Sequence, residues 1–178
     1  MEQFQPELWH DLFVATAGAA SALAGLLFVA LSLHMRYIAT RSVYRDMARG
    51  SLIGLVMALV MSLLVLVRQP LQWLAVEAGF AGFAYLAVVG GHQLLSLRRK
   101  GWRIARESTL RSIGGYVLGL VGLANGVAML AQIGPGLYVL AAIVVAIILW
   151  SLWNAWVLVI GVADEEIRDD RRSSLAQG

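Results

Sequence analysis

The chain has no cysteine, so disulfides, thiolate metal sites and cysteine nucleophiles are all excluded. Proline occurs only at Pro6, Pro70 and Pro135, outside every long apolar run, so long helices can proceed unbroken. Charge is scarce as well: Asp, Glu, Lys and Arg make up 14% of the residues, against roughly a quarter in a soluble domain. Also missing are the HExxH and GxSxG signatures, the phosphate-binding Walker loop and paired intramembrane aspartates. Neither an enzymatic activity nor a cofactor is expected.

What remains is apolar. Hydrophobic residues make up 60% of the chain, and the mean hydropathy is +0.74. Such a chain cannot cover its apolar surface in water, and a bilayer is its natural solvent. A helix crosses the hydrocarbon with roughly 20 apolar residues. Segments 12–33, 47–67, 73–95, 113–133 and 137–162 meet that standard. The expected fold is therefore all-α: one polytopic membrane domain over residues 1–178, with five transmembrane helices and a tail at 163–178. The N-terminal MEQFQPELWHD is acidic and lacks the positive n-region of a cleaved leader, so no cleavage is expected.

The breaks between spans set the orientation. Two are short turns with proline, RQPLQ and QIGPG, and two are arginine-rich. Thirteen of the fourteen basic residues lie on one side, with Arg68 alone on the other. The positive-inside bias then predicts an outer N-terminus and a cytoplasmic C-terminus. Trp9, Trp73 and Tyr138 are expected as outer anchors, and Tyr37, Tyr44, Trp102 and Tyr116 as inner ones. The two proline turns lie sixty-five residues apart, which suggests two similar hairpins, helices two–three and four–five, beside a lone first helix.

Helices in lipid associate through close backbone approach and polar contacts. Gly115, Gly119, Gly122 and Gly126 fall on one face of the fourth span, and Ala15, Gly18, Ala19, Ala22 and Gly25 share a face of the first. These are packing faces for a neighbouring helix of the same chain or of a second copy, and a homo-oligomer is expected. Asn125 and Asn154 lie at comparable depth in antiparallel spans, where a hydrogen bond between them, direct or through Ser151, would set register.

Ionisable residues inside a span are costly and mark candidate sites. Glu77 is the clearest, one turn from Trp73, and is expected to reach the headgroups or pair with Arg68. With Asp11, His10, Glu2 and Glu7 it makes the outer side acidic, an arrangement that concentrates cations. His34 and His92 sit at inner helix ends with no evident third ligand apart from Asp46, so no metal site is expected.

The net charge of +3 does not point to nucleic acid, because the basic residues sit in blocks beside apolar spans. Arg41, Arg45 and Arg49 recur every four residues. The segment LRRKGWRIARESTLR mixes Arg98, Arg99, Lys100 and Arg103 with Leu97, Trp102 and Ile104. Both are expected to hold anionic lipid or a partner protein at the inner surface. The tail ADEEIRDDRR is expected to continue the fifth helix, with Asp164 and Arg168 paired at i,i+4.

Two stretches, WHDLFVATAGAASALAGLLFVALSL and YVLAAIVVAIILWSLWNAWVLVI, resemble a group of small bacterial integral membrane proteins. Some of that group are described as modulators of the membrane-bound ATP-dependent protease. The resemblance covers the first and last spans, implies a bacterial inner membrane and carries over no functional residue. The expected function is a homo-oligomeric pore for ions or small solutes, with Glu77, Asp11 and His10 at its mouth. The alternative is a non-transporting regulator or scaffold that docks membrane proteins and anionic lipid.

Overall fold

The computed structural model describes residues 9–35, 38, 42–100 and 102–176. The side chains at 42, 89, 92–112, 165–166 and 169–176 lie outside that description. The described chain is built from five helices: α1 His10–Leu33, α2 Ser42–Leu66, α3 Leu71–Lys100, α4 Trp102–Leu130 and α5 Leu137–Ala176. Each contains a stretch long and apolar enough to cross a membrane. The outside of the bundle is as apolar as its inside, with Leu26, Phe28, Phe80, Leu120, Trp153 and Trp156 all exposed. Helices apolar on every side are stable where hydrocarbon is the solvent, and this is a multi-pass membrane protein.

The helix ends follow local chemistry. Pro70 ends the α2–α3 turn, and its carbonyl accepts from the backbone N–H groups of Trp73 and Leu74. At the end of α4, the N–H of Ile133 donates to the Ala128 carbonyl and that of Gln132 to Met129. This is the Schellman pattern, with Gln132 in the left-handed position at φ 54° that glycine usually fills. The turn continues through Gly134 at φ 82°. At the other end of the bundle, α5 runs on to Ala176 as expected, 40 residues or about 60 Å in all, well beyond the hydrocarbon. Asp164 and Arg168 on this extension are exposed and do not pair, which the high dielectric there explains.

The pairing of helices differs from two sequential hairpins beside a lone first helix. α1 is not solitary: it packs along α2, and α2 packs equally along α5, so these three form one group. α3 pairs with α4 more extensively than any other two helices do, across the arginine-rich connector, while α2 and α3 scarcely touch. A tight turn fixes only where two helix ends meet, whereas the contact area depends on how closely the backbones approach. Glycine decides that between α3 and α4. A Cβ on Gly126 would lie 2.5 Å from the Gly79 Cα, and one on Gly82 would lie 2.5 Å from the Leu123 nitrogen. The two groups meet in one continuous core containing Phe13, Leu55, Met61, Leu74, Met129 and Val144. A smaller cluster of Ile38, Ala48, Leu158 and Val162 closes the arginine end, where the Tyr44 hydroxyl donates to the Gly161 carbonyl at 3.1 Å.

Candidate functional site

The interior of the bundle offers few polar groups. Thr16, Ser51, Ser62, Asn125 and Ser151 are the buried polar residues among those described, and none is ionisable. The Thr16 and Ser62 hydroxyls bond to each other at 2.9 Å across α1 and α2. One hydroxyl donates to the other, and the one that accepts donates in turn to a carbonyl of its own helix, Phe13 for Thr16 or Ala58 for Ser62. Ser151 seats its hydroxyl against Gly54 of α2, where a Cβ could not fit. Ser51 Oγ is fully buried and has no partner among the described residues. Asn125 donates to the Met129 sulfur at 3.4 Å, and Asn154 donates to the Trp150 carbonyl at 2.9 Å. The expected bond between the two asparagines is therefore not made. Similar depth set their height but not their direction around each helix, and each finds a partner one turn away on its own.

Between α2, α3, α4 and α5 runs a narrow apolar cleft of about 30 Å³, bordered by Met57, Met61, Tyr85, Gly119 and Ile147. That is room for about one water, in a lining with almost nothing to hold it. This cleft offers no polar route across the bundle.

At the proline-turn end, the Gln69 amide makes a clasp that sequence spacing did not foretell. One N–H donates to the Leu64 carbonyl near the end of α2, at 3.2 Å. The other donates to Glu77 Oε2 on α3, at 2.7 Å. Glu77 is thus half-buried and held by Gln69 rather than by Arg68. The one amide with two donors satisfies both a helix-end carbonyl and an intramembrane carboxylate. Its only advance signal was a glutamine placed beside the turn proline and eight residues from a lone acid.

His10 and Asp11 lie at the same end, paired at 3.3 Å, with Asp11 fully exposed. They stand on α1, which has little contact with α3, so one chain does not gather them with Glu77 into a common mouth. Trp9 meets Tyr138 edge-on at 4.4 Å and fastens the start of α1 to the start of α5.

The glycine-rich faces have different fates. Gly115, Gly119, Gly122 and Gly126 of α4 are buried, and the last three press against Gly79, Gly82 and Leu86 of α3. The small-residue face of α1 points away from its own bundle. Its packed side is Phe13, Thr16, Ala17, Ala20 and Leu27, whereas Ala15, Gly18, Ala19, Ala22 and Gly25 are all exposed. Around Gly18 and Gly25 there is open space where a Cβ would lie. At 100° per residue, Asp11, Ala15, Gly18, Ala22, Gly25 and Val29 fall within about 80° of one another, nearly opposite the packed side.

At the arginine end, a recess of about 520 Å³ opens between the end of α1 and the start of α2, lined by Leu31, Arg45, Asp46, Ala48, Arg49 and Leu52. Arg45 and Arg49 are one helical turn apart and both exposed, and Leu31 supplies the wall from α1. The sequence showed the arginine spacing but not the apolar wall, which comes from a separate helix. His34 lies near the end of α1 and donates from Nδ1 to the Ala30 carbonyl at 3.0 Å. Arg41 and the side chains of Arg98, Arg99, Lys100, Arg103 and His92 lie outside the described residues. No family model, no curated protein and no solved structure matches this chain.

Proposed function

We propose that the chain is a self-associating, non-transporting scaffold or regulator of the bacterial inner membrane, with its arginine end in the cytoplasm. The observation that carries this reading is the contrast between the two small-residue helix faces. That of α4 is consumed inside the chain, while that of α1 is laid open to the membrane along most of its length. Copies inserted with one orientation bring their α1 helices together in parallel, and a face of Ala15, Gly18, Ala22 and Gly25 is self-complementary about a twofold axis. The interior supports the non-transporting half of the reading. Its hydroxyls and amides are mostly tied to one another or to their own helices, and the central cleft is apolar. A scaffold needs surfaces, and it needs no polar path.

A pore remains the second reading, favoured by one observation: Asp11 is fully exposed at the head of the open α1 face. Copies arranged around an axis lined by α1 would ring that mouth with carboxylates. Ion flux into vesicles reconstituted with the purified chain separates the two. The scaffold reading expects flux no greater than in protein-free vesicles. Robust flux that falls with Asp11→Asn or Glu77→Gln would replace it with the pore.

A further inference from the structure

The recess between α1 and α2 lies at a particular depth. Counting back about 20 residues from Leu66, the length that spans the hydrocarbon, reaches the neighbourhood of Met47. Arg45 and Arg49 therefore straddle the boundary between acyl chains and headgroups. Leu31 and Leu52, on the hydrocarbon side of that boundary, form the deeper wall, and Ala48 lies between the two arginines. The recess is thus cationic at headgroup depth and apolar just below it. Guanidinium groups present planar forks of N–H donors that match phosphate oxygens, and a spacing of four residues puts the two on one side of α2. Asp46 also borders the recess and has an interaction of its own, so the described lining carries two guanidinium groups against one carboxylate, an excess of one positive charge.

We propose that this recess binds the phosphate of an anionic membrane lipid, with Arg45 and Arg49 on the phosphate oxygens and Leu31, Ala48 and Leu52 against the first part of an acyl chain. This rests on the scaffold reading for its membrane setting and adds the class of lipid that the scaffold would hold. A net charge of one near a headgroup corresponds to a preference on the order of 5-fold for an anionic over a zwitterionic lipid. The apolar wall distinguishes this site from one for free phosphate, which would use the arginines alone.

Native mass spectrometry of the full chain, released from micelles with equal phosphatidylglycerol and phosphatidylcholine, tests the site. The unaltered chain should retain one phosphatidylglycerol per copy with a preference of that order. Arg45→Gln/Arg49→Gln should lose the preference while keeping the same number of chains per particle. Inorganic phosphate at equal concentration should not displace the lipid. Equal retention of both lipids by the unaltered chain would overturn the proposal, whether or not the variant folds. So would an undiminished preference in a folded variant, or displacement by inorganic phosphate. Copy number is read in the same spectrum, so a failure of the lipid site with intact particles counts against the site and not against self-association.

Discussion

Gly126→Val is expected to separate α3 from α4 and to destabilise the chain by at least the upper end of the ~1–3 kcal/mol typical of overpacking. The reason lies in what the new side chain would meet. A Cβ alone would lie 2.5 Å from the Gly79 Cα, 2.6 Å from the Gly79 nitrogen and 2.9 Å from the Ala75 carbonyl oxygen. All three are backbone atoms of a helix, with no flexible end to swing aside, so relief requires α3 to move bodily away. Gly82→Ala should act the same way, since its Cβ would strike the backbone at Leu123 and Gly122. Gly119→Ala should be milder, because its nearest neighbour is the Leu86 side chain, which has other rotamers. Denaturant titration in mixed micelles checks the order: Gly126→Val and Gly82→Ala most harmful, Gly119→Ala intermediate. An unchanged midpoint for Gly126→Val would mean that α3 and α4 do not pair through these glycines.

Gly18→Leu with Gly25→Leu should have the opposite profile, abolishing self-association while leaving the single chain folded. At neither position would an added Cβ have an atom within 4 Å, so leucine there meets nothing of its own bundle. Two parallel α1 helices, however, could no longer bring their backbones together, and the particle mass by light scattering should fall to that of one chain. Gly18→Ala with Gly25→Ala should keep the larger particle, since alanine still permits close approach. Its effect on the isolated fold should be neutral, or stabilising by up to ~1 kcal/mol at each of the two sites through helix propensity. A leucine variant that kept its assembled mass would move the contact to another helix.

The sequence made the spans readable because the length of an apolar run is a property of one segment. Helices 12–33 and 137–162 appear within the structure's α1 and α5, and the proline turns fall where the runs break. Helix partners were less readable, because in a membrane the lipid-facing and protein-facing sides are both apolar. The glycines of α4 announced a close neighbour, but only the matching Gly79 and Gly82 identified it as α3 rather than α5. Asn125 and Asn154 were legible as polar groups within spans, yet their rotation about each helix axis was not, and both turned to their own helices. The Gln69 clasp and the Leu31 wall of the recess depend on chain segments brought together by folding, which one-dimensional spacing does not encode.

Because the chain has no cysteine of its own, single cysteines can be placed along α1 and oxidised in native membranes without background. Dimeric cross-links should peak at Ala15, Gly18, Ala22 and Gly25 and vanish at Phe13, Ala17, Ala20 and Leu27, which face the bundle interior. Cross-linking without that helical period, or none at any position on the open face, would contradict assembly through α1.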